Sequence, residues 1–406
     1  MCIRDSSGNA DVTLLSQNLD NSDGGQVFAG QALKLTVDKL LNRTKGLLSA
    51  KTGLDLEGGA LDNSGGYLVS QQHQRLNLSG DLLNTQGQLS SEGTLNVSAA
   101  NLTNTGGSLS SAADLTVNSL GRVENQGGEL ITDGALLLSS AALDNRQQGN
   151  ISGKGAVSIT TGAFDNSQNG RLNSGTTLNL TAAQVTNQEG GRIGSQGALT
   201  ASVAGLDQQG GQLFSNTSLS LDMNNGQLNN QNGLINAPGA LLLNNLNGVN
   251  NQGGEISSAQ AFTLAAKNFT NDGGRLLSTQ GLTLRISQAL HNVKGLIGAA
   301  TVDAHAQSLN NNGGTLTSRG NLVLAIDQQL DNQAQGLISA AQLLTLQSGD
   351  LNNQGGSVLA GGALLLNAMA LNNSANGLIN AQGDLTLEAD SLDLSLIHIS
   401  EPTRPY

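Results

Sequence analysis

Residues able to do acid–base, metal or nucleophilic chemistry are few in this chain of 406 residues, and their spacing decides what they can do. The histidines are His73, His291, His305 and His398, and Cys2 is the single cysteine. A zinc site needs three or four His, Cys or carboxylate ligands brought to one point. The internal histidines fall at unrelated phases of the repeat described below, so they read as isolated surface side chains and no metal is expected. The best carboxylate pair is Asp144 and Asp165, one repeat apart. Two acids on adjacent strands could divide nucleophile and acid roles in glycoside cleavage. Yet the same phase holds Leu41, Leu83, Thr103, Glu124, Thr186, Asn310 and Asn372 elsewhere, the mark of a solvated turn. Phe28, Phe164, Phe214, Phe262 and Phe269 lie in apolar stretches, Phe28 and Phe214 at outward places. Scattered in this way, they offer no stacking platform for sugars or bases. No catalytic, cofactor-binding or metal-binding residue is assigned, and no cofactor is expected.

The pattern behind these phases is visible in LDNSGG, Leu61–Gly66, whose variants return every 20 or 21 residues. Anchored on the Asn, the series runs Asn21, Asn42, Asn63, Asn84 and onward to Asn373, with Gln208 the one substitute, giving eighteen units. Leu, Val or Phe stands two residues before each anchor, and Gly three or four after it. Two residues past the last Gly comes Leu, Ile or Val, as in Gly66-Tyr67-Leu68, and two further a small residue in every unit. A second apolar pair at spacing two follows, such as Leu76 and Leu78 or Leu364 and Leu366.

Composition narrows the class. The chain has 54 Gly, no Trp and only 2% aromatic residues, yet abundant Leu, Val, Ile and Ala. Disordered chains lack such aliphatics, so an ordered array is expected. A net charge of −12 argues against a nucleic-acid or anionic-membrane surface, which needs clustered Lys and Arg. No apolar run reaches the roughly 18 residues that span a bilayer.

Both ends depart from the repeat. MCIRDS and LSLIHISEPTRPY back-translate to strings that are reverse complements over their shared part, ATG TGT ATA AGA GAC AG and CTG TCT CTT ATA CAC ATC TCC, as a transposase sequencing adapter read in two orientations would give. Residues 1–6 and 394–406 are therefore expected to be adapter-derived scar, and 7–393 a continuous repeat array cut from a longer protein. This sets Cys2, His398 and two of the three prolines aside and leaves no thiol chemistry. The next anchor is expected near residue 394, where the adapter begins.

Spacing of two is strand geometry, so each unit carries three short extended segments, with Gly and Asn turning the chain where φ is positive. The always-small residue is expected at a tight corner. Three strands in 20–21 residues make one circuit of an all-β, parallel β-helix (solenoid) of about 18 coils, right-handed as parallel crossovers are. Leucine-rich repeats share the period, but Asn84 lies six residues after Leu78 rather than three, and the following segment is Gly-rich. Calcium-binding nonapeptides need G-G-x-G-x-D, whereas Gly65-Gly66 runs on to Tyr67-Leu68. The T-x-T row of an ice-binding face is also missing. One coil cannot fold alone, because its few inward aliphatics contribute about 2 kcal/mol each against on the order of 30 kcal/mol of ordering entropy. Stacking must supply the remainder, and the anchor amides are expected to form a ladder.

The recurring LDN-x-GG-x-L-x-S … L-x-L unit, over residues 7–393, resembles the haemagglutinin repeats of filamentous-haemagglutinin-type exoproteins, which include adhesins and the stalks of contact-dependent growth inhibition effectors. The resemblance implies a secreted bacterial cell-surface filament, exported through an outer-membrane two-partner secretion transporter. It is expected to be not membrane-embedded and not an enzyme. A structural stalk presenting a binding or toxin module not present here is the function it favours. The alternative is that the repeat surface itself binds a host or neighbour-cell receptor or glycan. A carbohydrate-active β-helix enzyme is the remote alternative.

Overall fold

The fold follows from one interior arrangement repeated coil after coil. A computed structural model describes residues 6–395, and the terminal residues 1–5 and 396–406, with Cys2 and His398, lie outside the described residues. The described residues are all β, with no helix, and form a parallel β-solenoid of about eighteen turns. Contacts divide the chain into two units, residues 1–221 and 222–406.

The coil after Asn42 shows how sequence becomes shape. The turn at Arg43–Gly46 places Thr44 and Lys45 at φ of 50° and 66°. The strand Leu47–Ala50 then points Leu48 and Ala50 inward. Thr52 follows at a corner, and the strand Gly53–Asp62 buries Leu54, Leu56 and Leu61. Within each unit the described strands pair parallel with their equivalents in the neighbouring coil, as Leu33 with Leu54 and Leu40 with Leu61, with register shifts such as that between Ile286 and Ala289. The small residue closes the first strand from inside: Ser70 is buried and its hydroxyl donates to Ser91 Oγ at 3.1 Å.

The three expected segments are present, but in most coils the corner between the last two is a bend inside one strand, whereas in others, such as His73–Leu78 and Leu82–Leu83, the strand breaks there. In Leu33–Leu41, inward and outward positions alternate until Asp38 and Lys39, which both face out, after which Leu40 returns inward. Two consecutive outward residues turn the chain without ending its hydrogen-bonded pairing, so these segments share one sheet and the Leu47–Ala50 type forms a second. In the coil of His73–Leu78 the expected pair Leu76 and Leu78 is buried, and the register places one more inward residue ahead of it. Leu76 lies opposite Leu56, and the first inward place, opposite Leu54 and Leu95, is held by Gln74. Gln74 is fully buried and neither of its amide atoms has a partner.

The anchor ladder is continuous within each unit. In the first, Asn21 donates to Asn42, Asn42 to Asn63, and so on to Asn187, nearly all at 2.7 Å. The ladder reaches Gln208 through a longer 3.4 Å contact. In the second it runs from Asn230 to Asn373. Most anchor Nδ2 atoms also reach the last Gly carbonyl of their own turn, as Asn42 does with Gly46 at 3.1 Å, and the next coil's strand, as with the Tyr67 carbonyl at 3.2 Å. In the last coil Asp393 pairs with Asn372, so the following anchor place falls on Leu394.

The ladder explains why the two glycines of LDNSGG differ. Gly65 sits at φ 65°, a conformation that Gln86 adopts one coil later at 54°. A Cβ on Gly66 would lie 1.7 Å from the Asn42 carbonyl oxygen and 2.6 Å from Asn63 Oδ1. Gly66→Ala is therefore expected to cost on the order of 3 kcal/mol, and Gly65→Asn less than about 1 kcal/mol. Asn125→Ala, which strips Asn104 Nδ2 of an acceptor and Asn145 Oδ1 of a donor, is expected to cost about 3 kcal/mol. Gln74→Leu acts in the opposite direction, adding about 2 kcal/mol by removing unpaired amide atoms from the core. Urea midpoints of the four variants check all four values.

Candidate functional site

The outward residues with chemical potential lie at turns and on the outer sheet faces. The histidines do not meet. His73, in the first unit, is exposed, covers Gly53 and brings Nε2 to 3.7 Å from Asp55 Oδ1. In the second unit, His305 Nε2 lies 2.9 Å from Asp327 Oδ1. His291 ends the strand Gly281–His291, half-buried, and its carbonyl accepts from the Asn271 amide. Among the described residues, no three His, Cys, Asp or Glu side chains gather where they could hold a metal ion.

Asp144 and Asp165 are brought together as expected, opposite each other in adjacent parallel strands. What lies between them was not expected. Arg146 donates from Nη2 to Asp144 Oδ2 at 2.7 Å and from Nε to Asp144 Oδ1 at 3.0 Å, while Nε stands 3.5 Å from Asp165 Oδ2. Gln126 Nε2 donates to Asp144 Oδ2 at 2.7 Å. Burial favours the neutral acid, but the hydrogen bonds from Arg146 and Gln126 and the Arg146 charge outweigh it, so the Asp144 pKa falls below the ordinary carboxylate value. Asp144 in turn raises the Arg146 pKa by hydrogen bonding and charge. A carboxylate held ionised in a bidentate arginine clamp has no proton to give a leaving group. The arrangement fastens one turn to the next.

The place before the anchor is also not the freely solvated turn that its variable residues suggest. Asp144 is 8% exposed, and most of its equivalents are half-buried. In several coils where this residue is Asp or Asn, its Oδ1 accepts the backbone amide two residues on: Asp62 from Ser64, Asp165 from Ser167, Asn250 from Gln252 and Asn372 from Ser374. This is an Asx-turn, and its signal, the recurrence of Asp and Asn at that phase, was present in the sequence. For Asp20 the hydrogen bonds from Ser22 likewise lower the pKa.

The aromatic side chains divide as their phases indicate. Phe164 and Phe269 occupy the leucine place before the anchor, and Phe262 is buried at the first inward place of its strand, opposite Leu282. Phe28 faces out at 40% exposure, and Phe214 is outward but lies over Gly194, whose missing side chain makes room for the ring. Among the described residues no helix is long and apolar enough to cross a membrane.

The lowered Asp144 pKa makes a pH-dependent contribution to folding. Its stabilisation is fully present above the unfolded carboxylate value and is lost as pH falls through the lower folded value. Arg146→Ala is therefore expected to lower stability at pH 7 and to reduce the loss between pH 5 and pH 2 relative to the unsubstituted chain. Urea midpoints across that range measure the effect.

Comparison with known proteins agrees with this geometry. The haemagglutinin-repeat family model matches residues 5–86, 75–127, 124–189, 177–222, 215–292, 263–325 and 324–389. Neither curated proteins nor solved structures give a match. The tiled matches and the stacked coils lead to one conclusion: the chain belongs to the haemagglutinin-repeat family, a family of structural, adhesin-type repeat proteins.

Proposed function

We propose that this array is a spacer, the stalk of a larger secreted surface protein that carries a binding or toxin module away from the bacterial cell. The observation that carries the reading is the contrast between inside and outside. The inward set recurs in coil after coil, whereas one outward column runs Gln26, Leu47, Tyr67, Gln88, Ser108 and Glu129 through six coils of the first unit. An interior held constant beneath a varying exterior is expected where length is the useful property. Each coil adds about 4.8 Å at the strand spacing. The lack of cysteine after Cys2 suits a chain threaded unfolded through a two-partner secretion transporter and folded outside. The native array on this reading is residues 7–393, with adapter-derived residues on either side.

The experiment displays the chain on a bacterial surface, between an anchor and a reporter epitope, beneath a capsule of fixed thickness. Excising whole coils, such as residues 104–124, is expected to lower antibody access to the epitope stepwise with the number removed. Access that does not depend on coil number sinks the spacer reading.

A further inference from the structure

The first inward place of the long strand is apolar through the first unit, with a single exception. In register from Leu33 and Leu54, through Leu95, Leu115 and Leu136, to Leu199, it holds Leu or Val. Only the strand His73–Leu78 puts an amide there, Gln74, between Leu54 and Leu95. Gln74 is fully enclosed, and neither its nitrogen nor its oxygen has a partner. Among the described residues it is the one buried amide left unsatisfied at both atoms. Asn21 lacks a partner only at Oδ1 and donates normally to Asn42, and at Ser348 the unpaired group is a single hydroxyl.

The same strand is thinly packed at its far end. Leu78 stands opposite Gly58, where the coil before has Val37, so this inward place meets no side chain on that side. The chain on either side of the strand is held more closely. Before it, Ser70 Oγ donates to Ser91 Oγ at 3.1 Å. After it, Asn84 accepts from Asn63 at 2.7 Å and donates to Asn104 at 2.7 Å. The weakness is therefore confined between Ser70 and Asn84.

Enclosing an amide without partners costs free energy that is recovered when water reaches it. Opening the strand of Leu54 or Leu95 exposes a leucine that was favourably buried. Opening the strand of Gln74 restores hydrogen bonds that the fold withholds. We propose that His73–Leu78 is a built-in point of local opening, a flap that detaches while Ser70 and Asn84 keep its two ends in place. Folded chains open in contiguous local units below the free energy of global unfolding. In an array of near-equivalent coils, the one with an unsatisfied interior opens first. Opening frees the facing backbone groups of Gly53–Asp62 on one side and Thr94–Ala99 on the other, while the ladder at Asn63, Asn84 and Asn104 stays joined. The first unit thus carries a compliant joint at a fixed coil. The inference stands on packing and not on the spacer reading, since an array of any function would open at this strand.

Hydrogen–deuterium exchange of the full chain at neutral pH, resolved by mass spectrometry of peptic fragments, tests the proposal. Amides of residues 74–78 are expected to exchange about tenfold or more faster than those of residues 95–99 and 178–182. Gln74→Leu and the shape-conserving Gln74→Met are each expected to slow exchange at residues 74–78 by about tenfold or more, leaving residues 178–182 within about twofold of their original rate. Three results overturn the proposal: equal exchange of residues 74–78 and 95–99 in the unsubstituted chain, a slowing that spreads evenly over the unit, or no slowing in Gln74→Met.

Discussion

The buried amide ladder is the interaction on which the rest of the structure depends. An Asn side chain carries two donors and two acceptor lone pairs, and enclosing it without partners costs several kcal/mol. In each unit the anchors from Asn42 onward are almost wholly buried, and the next coil supplies what each one lacks. Asn42 donates to Asn63, to its own Gly46 carbonyl and to Tyr67 of the next coil. Such a network closes only if neighbouring coils stack parallel and in register, so the ladder fixes register as well as contributing to stability. It also occupies the space beside the second turn glycine, which is why no side chain can stand at Gly66.

Around that constraint the interior is repetitive and the exterior is free. Leu48, Leu54 and Leu61 fill the same places as Val27, Leu33 and Leu40 one coil earlier, and the dispersion and hydrophobic terms simply accumulate coil by coil. Outside, the ion pairs are local. Arg146 joins Asp144 to Asp165 across two adjacent coils, and Arg285 meets Asp303 in the same manner. The electrostatics of the array are therefore short bonds between neighbouring turns, which matches the part these repeats play in a structural family.

Some of this was legible before any coordinates. The Asn phase, the Leu two residues before it and the small residue after the turn each mark a buried place, because a varying exterior leaves only the interior to keep period. The outward places of Phe28 and Phe214 follow from strand alternation in the same way. The Asx-turn at Asp62 and Asp165 was missed although its residues were in view, since tolerance of Leu41 or Leu83 at that phase concealed a bond that an apolar side chain cannot make. Gln74 was missed for a different reason: the apolar pair Leu76 and Leu78 looked complete, and only pairing with Leu54 reveals a further inward place ahead of it.

By itself the sequence determined the period, the parallel solenoid, the ladder and the family resemblance, because each is a one-dimensional regularity that stacking turns directly into contact. Only the tertiary structure decided what lies between coils. That Arg146 falls between two carboxylates and that Gln74 stands between Leu54 and Leu95 are matters of register across roughly 20 residues. Alternation places a side chain inside or outside, but its neighbour belongs to another turn, and a shift of one or two residues there changes every partner it meets.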